Sequence, residues 1–131
     1  MNFLRQDILK DLDKILLQYE KKYDSHDFKN FKDIIHKDAM YWFNDGSYRG
    51  IDQIGEAFTS TWDDIKDEIY RLNNIEWLCV DENIAVCIYQ FTWSGYIDGR
   101  VASGNGRGTN VFINEEGNWK IIHEHLSRMP L

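Results

Sequence analysis

The sequence Trp119-Lys120-Ile121-Ile122-His123-Glu124-His125-Leu126-Ser127 follows the turn sequence Glu115-Glu116-Gly117-Asn118 and ends close to the C-terminus. A run of this composition after a glycine turn predicts a β-strand, whose side chains alternate between two faces. One predicted face carries Trp119, Ile121, His123 and His125, and the other carries Lys120, Ile122, Glu124 and Leu126. Ionisable side chains on both faces of a terminal strand indicate a binding surface.

Three more strands are predicted upstream of this one, over residues 69–80, 84–97 and 101–114. The sequences Asp81-Glu82-Asn83 and Asp98-Gly99 join them, and such short polar links are typical of antiparallel hairpins. The second half of the chain is therefore predicted to form a four-stranded antiparallel meander.

Helices are predicted in the first half of the chain. An apolar stripe at intervals of three or four residues indicates an amphipathic helix and consists of Leu4, Ile8, Leu12, Ile15, Tyr19 and Tyr23. Asp27 is a predicted N-cap of a short second helix, and a third helix is predicted from Gly50 to Trp62. Between them, residues 39–49 predict a small β-hairpin around Asn44 to Ser47.

Helices followed by strands predict an α+β domain over residues 1–131, with three N-terminal helices packed on one face of a curved antiparallel sheet. On the 84–97 strand, an apolar row contains Ala85, Cys87, Tyr89, Phe91 and Trp93, and the opposite row becomes polar at Gln90, Thr92 and Ser94. If the helices cover the polar row, the apolar row needs another cover, and a second copy of the chain is the simplest one. We therefore expect a homodimer through the convex sheet face.

The charge of the chain bears on its partners. The formal net charge is −7 at pH 7, without a lysine- or arginine-rich block, which argues against a protein that tracks nucleic-acid phosphates. No segment approaches the roughly 20 consecutive apolar residues of a membrane span. We expect a cytoplasmic protein without nucleic-acid or membrane partners and without a cofactor.

Two segments carry a family resemblance: Gly50-Ile51-Asp52 leading through the helix to Trp62, and the segment from Gly117 to Ser127. They resemble the NTF2-like superfamily, cone-shaped α+β domains that include SnoaL-like cyclases, ketosteroid isomerases and the association domain of calcium/calmodulin-dependent protein kinase II. The resemblance implies a pocket between the helices and the concave sheet face, and a dimer through the convex face. It implies pocket walls built from Tyr19, Tyr23, Tyr41 or Trp42, Phe58, Trp62, Gln90, Thr92, Asn110, Glu124 and Leu126.

Key functional groups of two relatives are absent from this sequence. The association domain has pocket arginines suited to a carboxylate ligand, and the matching positions here are Gln90, Asn110 and Leu126, so that ligand is not carried over. Ketosteroid isomerases need an aspartate base, and Phe43 stands at that position. Phenylalanine cannot accept a proton, which argues against that isomerase activity.

Glu124 is the predicted catalytic residue, because a carboxyl desolvated among apolar side chains has a raised pKa and exchanges protons near neutral pH. The alternative is that Glu124 orders the pocket by hydrogen bonding to Tyr19, Gln90 or Arg107. His123 and His125 lack a third ligand, and no metal site is predicted.

Two functions remain open for the whole chain. The first is a SnoaL-like small-molecule pocket protein that catalyses isomerisation, cyclisation or dehydration of a compact apolar substrate. The second is a non-catalytic oligomerisation or ligand-sensing module. Fold likeness alone does not transfer chemistry, so the sequence does not decide whether the protein is an enzyme.

Overall fold

The computed structural model describes residues 2–130 and, in the first helix, the side chains from residue 5 onward. In that part of the chain the helices are α1 (Asn2–Asp24), α2 (Phe28–Phe31) and α3 (Gly50–Asp64). The strands are β1 (Ile35–Phe43), β2 (Gly46–Arg49), β3 (Lys66–Val80), β4 (Ile84–Ile97), β5 (Arg100–Glu115) and β6 (Asn118–Arg128). A short 3₁₀ turn, Lys32–Ile34, leads from α2 into β1. The α+β class and the packing of three helices on a curved sheet are confirmed.

The strands form one sheet in the order β2-β1-β6-β5-β4-β3. Strands β3 to β6 are the antiparallel meander that the sequence predicts, and β1 and β2 form the predicted hairpin. The sheet is nevertheless mixed, because β1 pairs with β6 in parallel. This pairing joins strands that are distant in sequence, so no local turn signal indicates it.

The helices cover one face of the sheet. Asp27 caps α2 as predicted, with its carboxylate accepting from the Lys29 amide over 3.0 Å. The buried stripe of α1 contains Ile8, Leu12, Leu16, Tyr19 and Tyr23. Leu4, which the sequence assigns to the same stripe, lies outside the described side chains. The buried side of α3 is formed by Ile54, Gly55, Phe58 and Trp62. No helix of residues 2–130 is long and apolar enough to cross a membrane.

The predicted orientation of β4 is wrong. Its aromatic row faces the helices, where Tyr89 is 3% and Phe91 8% exposed, and its polar row at Gln90 and Thr92 faces outward. The helices therefore cover the apolar row themselves, which is the arrangement that removes the larger apolar area from water. Tyr89, Phe91 and Trp93 consequently give no argument for a second copy of the chain.

Glycines on β5 make room for the aromatic row of β4. Tyr89, Phe91 and Trp93 lie opposite Gly108, Gly106 and Gly104, respectively. A Cβ atom at any of these glycines would come closer than 3.0 Å to the facing ring. The glycine faces of β5 are thus filled by rings from the neighbouring strand, an arrangement known to stabilise glycines in sheets.

A β-bulge interrupts the alternation of β6. Val111 pairs with His123 while the next residue of β5, Phe112, pairs with Ile121, so Ile122 is an extra residue on β6. Trp119 and Ile121 are buried before the bulge, and Glu124 is buried after it. The prediction that Trp119, Ile121, His123 and His125 share one face is therefore wrong, because one inserted residue moves every later side chain to the other face.

Candidate functional site

A cavity of about 620 Å³ lies between α1, α3 and the inner face of the sheet. Its volume is in the usual range of small-molecule pockets. The cavity is lined by Tyr19, Tyr23, Phe43, Asn44, Asp45, Phe58, Thr61, Ile65, Glu68, Tyr70, Phe91, Trp93, Gly104, Asn105, Leu126, Arg128 and Met129. Seven of these residues are aromatic and six are polar or charged, so the walls combine aromatic rings with polar groups.

Glu124 lies directly behind this wall and is fully buried. Strand register places it between Tyr41 on β1 and Asn110 on β5. Its Oε1 atom accepts a hydrogen bond from the Tyr19 hydroxyl over 2.9 Å and one from the Asn110 amide over 3.2 Å. Asn110 is itself held by the Tyr89 hydroxyl, which donates to its side-chain oxygen over 2.8 Å. Tyr19, which lines the cavity, therefore connects Glu124 to the ligand space.

Burial decides the protonation of Glu124. Desolvation raises its pKa to about 7, against the opposing effect of the hydrogen bonds from Tyr19 and Asn110. The two possible roles of Glu124, hydrogen-bond anchor and proton carrier, are therefore compatible in this geometry. At neutral pH the carboxyl populates both its charged and its neutral form.

Three buried polar atoms near Glu124 have no hydrogen-bond partner among the residues that the structure describes. They are the second carboxyl oxygen, Glu124 Oε2, and the hydroxyls of Tyr41 and Tyr70. Burial and the charge of Glu124 raise the pKa of both phenols well above its usual range, so both hydroxyls keep their protons. Unsatisfied buried polar atoms are uncommon in native proteins, so a water or a ligand at this place would complete their hydrogen bonds.

Glu68 is a second buried carboxyl, and sequence analysis did not identify it. It is 3% exposed, lines the cavity and accepts a hydrogen bond from the Tyr23 hydroxyl over 2.9 Å. Desolvation raises its pKa to about 7, with a smaller contribution from the charge of Asp24, while the Tyr23 bond lowers it. The alternation of Glu68, Tyr70 and Leu72 could have indicated this inward position, but the predicted strand began at Ile69.

The predicted aromatic wall divides into two groups. Tyr19, Tyr23, Phe58 and Leu126 line the cavity. Trp62 packs behind them, and its ring centroid lies 5.4 Å from that of Tyr23 and 5.9 Å from that of Phe58. Its indole nitrogen has no hydrogen-bond partner in the described part of the chain. Tyr41, rather than Trp42, points inward.

Three predicted pocket residues lie on the other face of the sheet. Trp42 is 46% exposed and packs edge-on against His123 and His125. Gln90 accepts a hydrogen bond from Asn74, and Thr92 lies exposed on the same outward row. Their expected place in the pocket is wrong, since β4 presents its aromatic row to the helices and Trp42 alternates with the buried Tyr41.

The outer-face histidines form no metal centre in the described structure. His123 Nδ1 lies 2.6 Å from the carbonyl oxygen of Met40, and His125 is exposed. Among the described residues, no group of three His, Cys, Asp or Glu side chains is placed to hold a metal ion.

Comparison with known proteins gives a family and a fold. A family model for the SnoaL-like domain matches residues 12–131. No curated protein matches the sequence. Among solved structures, an NTF2-like superfamily protein from Salmonella enterica is similar with a TM-score of 0.83 at 20% identity, covering 99% of this chain and 94% of that one.

Two further structures have similar scores. A putative calcium/calmodulin-dependent protein kinase II association domain from Xanthomonas campestris gives a TM-score of 0.82 at 19% identity, covering 92% of this chain and 86% of that one. A putative aromatic ring hydroxylase from Novosphingobium aromaticivorans gives a TM-score of 0.82 at 20% identity, covering 96% of this chain and 90% of that one. At these identities the likeness shows the fold alone.

Proposed function

Since the chain belongs to the SnoaL-like domain family, we propose that it binds a compact, largely apolar small molecule in the aromatic cavity and transfers a proton to or from an oxygen of that molecule. The chemistry is isomerisation, cyclisation or dehydration of a substrate bearing a carbonyl or hydroxyl group. Glu124 is the proton carrier, and Tyr19 is the group through which it reaches the substrate.

The observation that carries this proposal is the hydrogen bond between the Tyr19 hydroxyl and Glu124 Oε1, at 2.9 Å. When Glu124 is ionised, Tyr19 donates to it. When Glu124 is protonated, its O–H can donate to the phenol oxygen, and the phenol proton is then free to move toward a substrate oxygen in the cavity. A carboxyl with a pKa of about 7 is suited to this exchange at neutral pH.

The rest of the site supports the same chemistry. A bound apolar substrate would displace water from the aromatic part of the cavity, which strengthens any hydrogen bond to charge that develops on a substrate oxygen. The hydroxyl of Tyr70, which lines the cavity, has no partner among the described residues and is available as an additional donor. Asn110 holds the Glu124 carboxyl from the side opposite to Tyr41, which fixes its position.

Carbon-13 NMR titration of the Glu124 carboxyl tests the proposal. We expect a pKa near 7 in the wild type and a higher pKa in Tyr19→Phe, because that variant removes a donor to the charged form. In parallel, Glu124→Gln should weaken binding of a ketone probe such as 4-tert-butylcyclohexanone. A pKa at or below the model-peptide value of about 4.3, with full probe affinity in Glu124→Gln, would leave Glu124 without a role in proton transfer.

The second candidate function is a non-catalytic oligomerisation or ligand-sensing module that assembles through the outer sheet face. The exposed Trp42 ring beside His123 and His125 favours it, because an exposed indole on a sheet face is typical of an interface. The likeness to an association domain agrees with assembly. In this proposal the protein is a homodimer.

Sedimentation of the wild type and of Trp42→Asp tests the homodimer. We expect a wild-type dimer and a monomeric variant, since a charge at a buried interface is costly. Leu17→Asp is the matched control, because Leu17 is an apolar residue of α1 with 68% exposure on the helical side of the molecule. A wild type that sediments as a monomer at micromolar concentration would contradict this function.

A further inference from the structure

Glu68 is the buried acidic group of the cavity wall. Its side chain borders the ligand space, and Tyr23 holds one of its carboxyl oxygens from α1. Among the described side chains, no lysine, arginine or histidine forms an ion pair with it. The imidazole of His26 contacts the backbone oxygen of Glu68, at 2.8 Å, and not its carboxyl group.

The charges around the cavity are mainly negative. Asp45 lines the same cavity. Asp24 lies close enough to Glu68 to disfavour its ionisation, although Asp24 is itself paired with Arg71 at 2.7 Å. Arg128 is the cationic residue of the lining and is exposed at the rim. The whole molecule has a formal net charge of −7, and this negative charge attracts cations at long range.

Aromatic rings line the same cavity as Glu68. Tyr23 and Tyr70 stand with their ring centroids 4.7 Å apart, and Tyr70 and Phe91 stack at 5.4 Å. Because these rings pack against one another, they supply the apolar surface of the cavity, and the carboxylate supplies the attraction for a cation. A desolvated carboxylate among aromatic rings is the combination of groups that binds an organic ammonium ion.

We infer that the cavity takes a ligand whose apolar body carries a positively charged nitrogen, and that Glu68 supplies the countercharge. This inference rests on the proposed small-molecule pocket and specifies the chemistry of its ligand. The cationic nitrogen would lie at Glu68 on β3, while the reacting oxygen lies at Tyr19. Glu68 is then a residue that determines specificity, separate from the proton carrier Glu124.

The competing explanation is that Glu68 only ties β3 to α1 through its hydrogen bond with Tyr23. Both explanations predict that replacing Glu68 affects the fold locally. They differ in the ligand preference of the wild type, because a carboxyl with a purely structural role does not distinguish a cation from a neutral molecule of the same shape.

The test uses two probes of equal shape, 4-(trimethylammoniomethyl)phenol and its neutral isostere 4-neopentylphenol. Their dissociation constants are measured at pH 7.5 by NMR titration of the labelled protein, following the tryptophan indole signals. We expect the cation to bind about tenfold more tightly than the isostere in the wild type. Glu68→Gln should remove most of this preference and leave the affinity for 4-neopentylphenol within about twofold.

Asp45→Asn is the matched control, since it removes one negative charge from the same cavity without changing Glu68. We expect it to retain most of the cation preference. Equal affinity of the wild type for both probes would overturn the inference whether or not the variants fold, and so would an equal loss for both probes in Glu68→Gln. Binding of neither probe would overturn the pocket function itself, and this inference with it.

Discussion

Replacement of Glu124 by glutamine should change how the stability of the protein depends on pH. The carboxyl is fully buried, and its pKa is about 7 in the folded chain against an ordinary value of 4.5. Glutamine keeps the length of the side chain and has an oxygen that can accept from Tyr19 and Asn110. Its amide group takes the place of Oε2, which has no partner among the described residues of the wild type.

The sign of the effect follows from the raised pKa. Below pH 4.5, Glu124 is protonated in the folded and the unfolded chain, and its contribution to stability does not change. Between pH 4.5 and about 7 the unfolded chain releases this proton first, so the wild type loses stability as the pH rises. Above about 7 the loss is complete, and at about 1.4 kcal/mol per pKa unit it amounts to roughly 3 kcal/mol.

The glutamine of Glu124→Gln does not titrate, so the variant should not lose stability through this position as the pH rises. At pH 5 the free energy of unfolding of the variant should be within about 1 kcal/mol of the wild-type value. At that pH the wild-type carboxyl is protonated, and its O–H and the glutamine amide are each a buried donor without a partner among the described residues. At pH 8 the variant should be more stable by roughly 3 kcal/mol. Glu68 titrates in both proteins, so its contribution cancels in the difference.

Urea unfolding followed by tryptophan fluorescence at intervals from pH 5 to pH 8 measures this difference. Glu56→Gln, at an exposed position of α3, is the matched control and should follow the wild type. If the free energy of unfolding depends on pH in the same way in the wild type and in Glu124→Gln, the reasoning is refuted. That result would mean that Glu124 is ionised at little cost in the folded protein.

Three further substitutions test the packing. Gly106→Ala should destabilise the protein by about 1–3 kcal/mol in urea unfolding, because its Cβ would meet the backbone oxygen of Ser127, which cannot move aside; an unchanged midpoint would contradict the close packing. Trp62→Ala should lower the free energy of unfolding by about 3–5 kcal/mol in the same assay, because the ring is 6% exposed and packs among aromatic neighbours. A loss below about 1 kcal/mol would contradict its place in the core. Asp27→Ala should lower the free energy of unfolding by about 1 kcal/mol, and Asp27→Asn should change it little, because only alanine removes the acceptor of the Lys29 amide. Equal losses in the two variants would contradict the role of Asp27 as an N-cap.

Local patterns in the sequence determined the elements of this fold. The 3.6-residue stripe that contains Leu12 and Tyr19 predicts α1, and the glycine turn before Trp119 predicts the start of β6. Such signals depend only on residues that are close in sequence, so they can be recognised without the tertiary structure. They place Tyr19 on a helix and Glu124 on a strand, but they do not show that the two side chains meet.

The tertiary structure alone decided which face of each strand is inside. Alternation along β4 separates Phe91 from Gln90 but does not say which of them meets the helices, and that choice depends on apolar area buried across the whole sheet. The bulge at Ile122 leaves no local mark in the composition of β6, yet it moves Glu124 to the face of Trp119. Glu68 became a cavity residue only because α1 brings Tyr23 to it from 45 residues away, a distance over which sequence periodicity carries no information.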